Sequence, residues 1–183
     1  IIRSRVDFLG NKELSIQKTG LNKILLEIPG NLDQSVKDII SKTAKLSFHI
    51  EKNSYADTIL LENIETGESV RVVERPAITG DYLQDASVRY DNNAPVVSFS
   101  LNKTGAEIFA DLTTKNIGKR IAIVLDGGLI SAPVVRDTIP GGAGTISGNF
   151  SNEEANNLAI ILKSGSLPTD ITIIQEKQVG PSL

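Results

Sequence analysis

The sequence predicts an α+β chain built in two modules, and three features carry that expectation. Short runs in which apolar and polar residues alternate, as strands require, are interleaved with longer stretches whose apolar residues recur at helical spacing. A polar break, EKNSYAD over residues 51–57, interrupts that order. The segment from Thr145 to Leu183 then reads as wiring from one module into the other: a well-signed helix, a Gly-x-Leu-Pro turn and a strand-like stretch.

Taken in order, Ile2, Val6 and Leu9 line one face of a short helix that Gly10 ends. Leu14 and Ile16 alternate with polar residues, Gly20 to Asn22 turn the chain, and Ile24, Leu26 and Ile28 alternate back. This is a hairpin, stopped at Pro29-Gly30. Asp33 is placed to cap a helix carrying Val36, Ile39 and Ile40 on one face. Leu46, Phe48 and Ile50 form a strand with Ser47 and His49 on its other side. Helix–strand–strand–helix–strand becomes a ferredoxin-like βαββαβ unit if a strand precedes Ile1, so this base is expected to be incomplete at the N-terminus.

Beyond the break, Thr58 to Leu61 and Val70 to Val73 flank a Thr66-Gly67 turn, and Pro76 and Thr79-Gly80 interrupt the pattern. Ala86 to Tyr90 and Val96 to Leu101 pair around the turn Asp91-Asn92-Asn93. Asn102 caps a helix whose apolar face is Gly105, Ile108, Phe109 and Leu112, with Gly118 past its end. Ile121 to Leu125 and Leu129 to Val135 flank Asp126-Gly127-Gly128, a hairpin signal, and Pro133 makes the second of these strands an edge or bulged one. A glycine-rich loop, Pro140 to Gly144, leads to Thr145. Ser151 and Glu154 form a capping box for a helix with Ala155, Leu158, Ala159 and Leu162 on one stripe. Lys163 suits its negative end, Gly165 stops it and Pro168 prevents resumption; Ile171, Ile173 and Gln175 then alternate as a strand would.

Composition excludes several classes of function. With 183 residues and 40% hydrophobic content, the chain can bury one good core or two small ones. A net charge of −3 with mixed signs argues against a nucleic-acid binder, and three tyrosines without tryptophan argue against a base-stacking platform. One histidine and no cysteine exclude a zinc site, a disulfide framework and thiol catalysis; the lack of cysteine fits an oxidising compartment without demanding one. Methionine is absent, so Ile1 is not a natural initiator and the chain is expected to be a piece of a longer one. No apolar run reaches the roughly eighteen residues of a membrane span, and any membrane part is expected outside this sequence.

Each candidate for chemistry has a plainer reading. His49, the one histidine, lies on a strand's polar face, and no Gly-x-Ser-x-Gly elbow accompanies it. Pro140 to Gly144 resembles a phosphate cradle only until its context is read: it leads into an extended piece, with no Lys-Ser or Lys-Thr pair. Glu153 and Glu154 sit in a first helical turn, where the macrodipole favours them. Asp126 lacks the spaced oxygen ligands of a cation loop. Lys115, Lys119 and Arg120 read as solvated charge at a helix end. The residues therefore predict no enzyme, no cofactor and no metal.

ISG-N-F-S-x-E-E-A-x-x-L-A-x-x-L-x-x-G-x-L-P near the C-terminus, closing in VGPSL, resembles the end of the first large periplasmic domain of the SecD family. The resemblance runs through nearly the whole chain. Arg3, Arg5, Val6 and Gly10 fit R-x-R-V-x-x-x-G, LLEIPG and TAKLSFHI follow in order, and Thr79, Gly80, Leu83 and Ala86 fit T-G-x-x-L-x-x-A. PVVSFSLNKTGAEIFADLT and GKRIAIVLDGGLISAPV are similar to the segments after it. The sequence departs from the pattern at Asp33-Gln34, which lacks the family's proline.

The resemblance implies a ferredoxin-like base, residues 1–51 and 168–183, carrying an inserted head, residues 52–167. It implies a hinge at Glu51, Lys52, Asn53 and Ser54 and at Ser166, Leu167, Pro168 and Thr169. It further implies a periplasmic part of a bacterial inner-membrane protein that acts with SecF and the SecYEG channel. Such a part holds unfolded preprotein while the proton gradient drives export, with the membrane helices outside this sequence. Surfaces expected to touch preprotein are Ile108, Phe109, Leu112, Pro133, Gly141, Gly142 and Gly144. Two rival readings are a soluble α+β enzyme holding a phosphorylated ligand at the glycine loop and a porter domain of a related efflux pump.

Overall fold

Residues 1–8, 10, 15–28, 33–175 and 177 are described by the structure, a computed structural model. Leu9, Leu14, Pro29-Gly30 and the closing Val179-Gly180-Pro181 lie outside the described residues. The α+β expectation holds: among the described residues, four α-helices and eleven short strands fall into two compact units, Ile1–Thr43 with Leu167–Leu183, and Ala44–Ser166.

The first unit contains α1 (Ile2–Phe8), β1 (Ser15–Thr19), β2 (Lys23–Glu27) and α2 (Gln34–Ser41). The strands form the expected hairpin, from Ser15 opposite Glu27 to Thr19 opposite Lys23, and Gly20 turns it at φ +73°. Asp33 caps α2 by accepting from the Val36 amide at 2.9 Å. Val6 and Ile40 are the buried centre, with Ile2, Ile16, Leu26, Ile28 and Val36 packed around them.

Hydrophobic spacing did not mark the residue that ends α2. The Arg5 side chain is fully buried, 0% exposed. Its guanidinium donates to the Ile39 carbonyl at 2.8 Å, the Ile40 carbonyl at 3.4 Å and the Lys42 carbonyl. These carbonyls lie at a helix C-terminus, where intrahelical donors run out and the macrodipole is negative. A cation there satisfies both demands. In the tail, residues 171–175 form no strand, contrary to the alternation of Ile171, Ile173 and Gln175. Alternation supplies a face but no ladder partner, and β1 and β2 pair with each other.

The second unit comprises β3 (Leu46–Ile50), β4 (Thr58–Glu62), β5 (Ser69–Val73), β6 (Ile78–Thr79), β7 (Leu83–Asp91), β8 (Ala94–Leu101), α3 (Lys103–Lys115), β9 (Ile121–Leu125), β10 (Gly128–Ser131), β11 (Ala143–Ile146) and α4 (Asn152–Ser164). A four-stranded antiparallel sheet in the order β10-β9-β3-β6 lies at its middle. One face, through Leu46, Phe48, Ile121 and Ile123, meets Val97, Phe99 and Leu101 of β8, Phe109 of α3, and Ala155, Leu158, Ala159 and Leu162 of α4. The other face, through Ala122, Val124 and Leu129, meets Val70 and Val72 of the β4–β5 hairpin, with Ile59 and Leu61 beside them. Sheet β11-β8-β7 completes the unit.

The caps and turns fall where the residues place them. Asn102 accepts from the Gly105 amide at 2.9 Å, and the Ser151–Glu154 box closes in both directions. Asn92 and Asn93, and Asp126 with Gly127, take the positive φ angles of tight hairpin turns. Pro133 lies past a register shift in β10, with its carbonyl accepting from the Ile121 amide. The glycine-rich loop, Pro140 to Gly144, is partly strand and closely packed. Ala143 and Gly144 belong to β11, and a Cβ on Gly144 would stand 2.4 Å from Cζ of Phe99. On Gly142, at φ +60°, it would stand 2.6 Å from Cβ of Ala106. Absence of a side chain here is a packing requirement.

Two substitutions test this account by denaturant unfolding. Arg5→Met is expected to lower stability by about 3 kcal/mol, because it strands buried carbonyls; Arg3→Met, at an exposed position, should change it by less than about 0.5 kcal/mol. Gly144→Ala is expected to cost about 1–3 kcal/mol by overpacking. Adding Phe99→Leu to it should cost less than the sum of the two changes, since the smaller side chain vacates the collision.

Candidate functional site

Two polar residues that could carry chemistry, His49 and Asp126, are occupied in holding the second unit together. His49 is buried, with Nδ1 2.9 Å from the Val73 carbonyl and Nε2 2.9 Å from the Ser47 hydroxyl. A carbonyl only accepts, so Nδ1 donates to Val73, and Nε2 shares a hydrogen bond with the Ser47 hydroxyl. The pair imitates a nucleophile and its base. The third partner, however, is a main-chain carbonyl, and the ring joins β3 to β5 beneath the hairpin. Among the described residues no cluster of carboxylate, imidazole or thiol groups could hold a metal ion. The glycine loop leads into β11, with the Cβ positions of Gly142 and Gly144 closed by Leu101, Ala106 and Phe99, so these two glycines have a packing role and no helix follows to receive a phosphate.

Asp126 does more than turn a hairpin. Its carboxylate accepts from the amides of Ala44 at 3.2 Å and Lys45 at 2.9 Å, and its own amide donates to the Lys45 carbonyl at 3.0 Å. It therefore clamps the residues with which the chain enters the second unit. Ala44 itself has φ +60°, an unusual value for a residue with a side chain.

The expected hinge residues differ in how firmly they are bonded. Glu51 accepts from the Arg120 amide at 2.9 Å and bridges to Val72, the Lys52 amide donates to the Arg71 carbonyl, and Ser54 accepts from the Thr58 hydroxyl. Glu51, Lys52 and Ser54 are thus knitted into the second unit, and Asn53 lies between them. The chain changes units at Thr43–Ala44, and β3, assigned from sequence to the base, pairs with β9 and β6. The return falls at Ser166–Leu167, inside the expected span of Ser166, Leu167, Pro168 and Thr169. Leu167 is buried in the first unit, and its amide donates to the Thr43 carbonyl at 2.8 Å.

The residues expected to touch a polypeptide do not gather on one surface. Phe109 is 4% exposed, packed against Phe48 and Phe99, and this corrects the expectation that it presents itself to a ligand. Ile108 and Leu112 are half-buried on the same helix. Gly142 is buried and Gly144 lies against Phe99, which leaves Gly141 and Pro133 exposed. The prominent apolar exposure in the second unit is elsewhere, on the β4–β5 hairpin: Tyr55 at 85%, Leu60 at 58% and Ile64 at 97%. The Arg71 guanidinium lies 4.3 Å from the Tyr55 ring centroid. Sequence reasoning passed over these residues because Ile59, Leu60 and Leu61 are consecutive, which hides the outward-facing member. The first unit separately holds an apolar cleft of about 390 Å³ lined by Ile2, Ile16, Ile24 and Leu167, among others.

Two family models match the chain: SecDF, P1 head subdomain, over residues 56–169, and protein translocase subunit SecDF, P1 domain, N-terminal, over residues 1–53. Protein translocase subunit SecD of Rickettsia conorii is 43% identical over 199 residues, covering all of this chain and 38% of that protein. SecD of Rhodobacter capsulatus is 43% identical over 194 residues, covering all of this chain and 35% of its own. The chain therefore spans less than half the length of these relatives. A solved structure of SecDF, described as a membrane component that enhances protein export, superposes with a TM-score of 0.79 at 34% identity, covering 97% of this chain and 90% of that one. SecDF in its super-membrane-facing form superposes at 0.80 with 34% identity, over 95% of this chain and 26% of that one. Agreement in sequence along the whole chain, in both family models and in backbone places this chain in the SecD family of protein translocase subunits.

Proposed function

We propose that this chain is the periplasmic part of a SecD subunit that holds unfolded preprotein emerging from the SecYEG channel, working with SecF and anchored by membrane helices outside this sequence. It performs no bond chemistry. Proton-gradient-driven export would use movement of the second unit, the head, relative to the first, the base.

The observation that most supports this reading is how the head is inserted. The chain leaves the base once and returns once, and the Thr43–Leu167 hydrogen bond holds the two exits together on the base side. Fixed groups flank the first crossing: Arg5 holds the Lys42 carbonyl before it, and Asp126 holds the Ala44 and Lys45 amides after it. Rotation would therefore concentrate in the few torsions between, as hinges require. The pivot in this reading is Thr43–Ala44 with Ser166–Leu167. The phosphate-binding rival fails on the packed glycine loop, and the efflux-porter rival has no observation in its favour.

A photo-crosslinking scan over the whole chain, with a reduced and carboxymethylated polypeptide as probe, tests the holding role. Labelling concentrated within residues 44–166 is expected, and uniform labelling of both units would overturn it. In the full SecD–SecF complex, Asp126→Ala is expected to change the rate of preprotein export by about threefold or more with polypeptide binding unaltered, because it releases the head side of the pivot. An unchanged rate would remove the pivot from the proposal.

A further inference from the structure

Strand edges in a soluble domain are ordinarily blunted, because an unpaired row of amides and carbonyls invites another chain. Most edges of the second unit obey this rule. β6 has two residues, β10 shifts register between Leu129 and Ser131 and is followed by Pro133, and β11 has four residues. On β7, Ala86 is buried, while Lys163 and Asn152 of α4 reach Asp85 and Tyr90. β4 is different. Thr58-Ile59-Leu60-Leu61-Glu62 holds one register through five consecutive pairs with β5, without proline, lysine or bulge.

The hydrogen bonds around the hairpin reveal which way its main-chain groups point. Antiparallel pairs alternate between those that exchange bonds and those whose groups face away. The Asn63 amide donates to the Glu68 carbonyl and the Glu74 amide to the Asp57 carbonyl, so positions 57 and 63 of this strand face β5. Arg71 and Val73 turn their carbonyls the other way, to the Lys52 amide and the His49 ring. By the same alternation Ile59 and Leu61 bond to β5, and Thr58, Leu60 and Glu62 direct amide and carbonyl outward. Among the described residues no main-chain group pairs with them.

We infer that the outer edge of β4 captures an extended polypeptide by strand addition. This inference rests on the preprotein-holding role proposed above and names where in the head the chain is held. The occupant follows from the geometry. Donor and acceptor recur together at every second residue, about 6.8 Å apart, a spacing that another extended backbone matches whatever its side chains. The outward side chains are equally undemanding: Leu60 lies opposite Arg71, on which Tyr55 rests, and Glu62 ends the row. Main-chain bonding over an apolar, aromatic rim suits a site that must accept many sequences. Asn63 sets its far limit, since its Nδ2 donates to the Ile130 carbonyl at 2.8 Å and its Oδ1 accepts from the Glu65 and Thr66 amides.

The test uses the whole chain with a reduced, carboxymethylated polypeptide as probe. Amide exchange at Thr58, Leu60 and Glu62 is expected to slow by about tenfold or more at saturating probe. Leu60→Pro removes an outward amide without touching the β5 ladder. It is expected to weaken binding by about tenfold while circular dichroism and the unfolding midpoint stay as in the parent. Leu60→Lys, a gatekeeper of the ordinary kind, should do the same. Parent-like binding by a folded Leu60→Pro chain, or unprotected edge amides at saturation, would overturn strand addition and leave the holding role standing. Failure of the parent chain to bind the probe at all would overturn both. Edge protection that grows with protein concentration in the absence of probe would instead assign the edge to a second copy of this chain and overturn the inference.

Discussion

Phe48, Phe99 and Phe109 meet at the centre of the second unit, one from the four-stranded sheet, one from the three-stranded sheet and one from α3. Their centroids are 5.4, 6.0 and 6.4 Å apart, tilted or edge to face, the arrangement in which ring quadrupoles attract. Much else in the unit follows from fitting three rings into so small a space. β11 must pass directly over Phe99, so position 144 can carry no side chain. The loop before it must lie against α3, so Gly142 meets Ala106, and Gly105 lets the same helix close on Tyr82. The glycines that look like a binding loop are the spaces that the aromatic centre needs.

This also explains how far the sequence could be read. Local signals were legible because their causes are local. Asp33, Asn102 and Ser151 cap helices using their own side chains, and the Asn92-Asn93 and Asp126-Gly127 turns take their conformation from residues that tolerate positive φ. What depended on a distant partner was not legible. EKNSYAD reads as a break because it is polar, but the bonds of Glu51 and Lys52 to Arg120 and Arg71, far along the chain, leave no local mark. The passage from one compact unit to the other at Thr43–Ala44 has no change in composition to mark it either. Arg5 reads as surface charge until the carbonyls of α2 close around it. The resemblance to SecD quoted Arg5 within its motif but gave no physical reason for it.

The candidate site was the least legible part, for a related reason. Periodicity identifies buried residues, and Ile108, Phe109 and Leu112 were chosen from an apolar stripe that helices normally bury. An apolar residue left in water carries no periodic signature of its own. Leu60 becomes conspicuous only once Ile59 and Leu61 are seen packing inward, and Ile64 only once Asn63 is seen to fix the loop that carries it.

Holding a chain and moving it place opposite demands on a fold, and the two proposed sites separate them. A pivot must be soft in a few torsions and stiff on either side, which the buried Arg5 of α1, holding the end of α2, and the Asp126 clamp on the β9–β10 turn would supply from separate units. A strand edge must be stiff throughout, because an incoming backbone gains its bonds only if the template is already straight. β4 is backed by Ile59 and Leu61 against the sheet, and β5 is tied to β3 through His49 and to residues 51–52. Neither device depends on the sequence of the transported chain. That is the requirement a general export subunit has to meet: its grip must read the backbone, which all its clients share, and its stroke must come from torsions that no client touches.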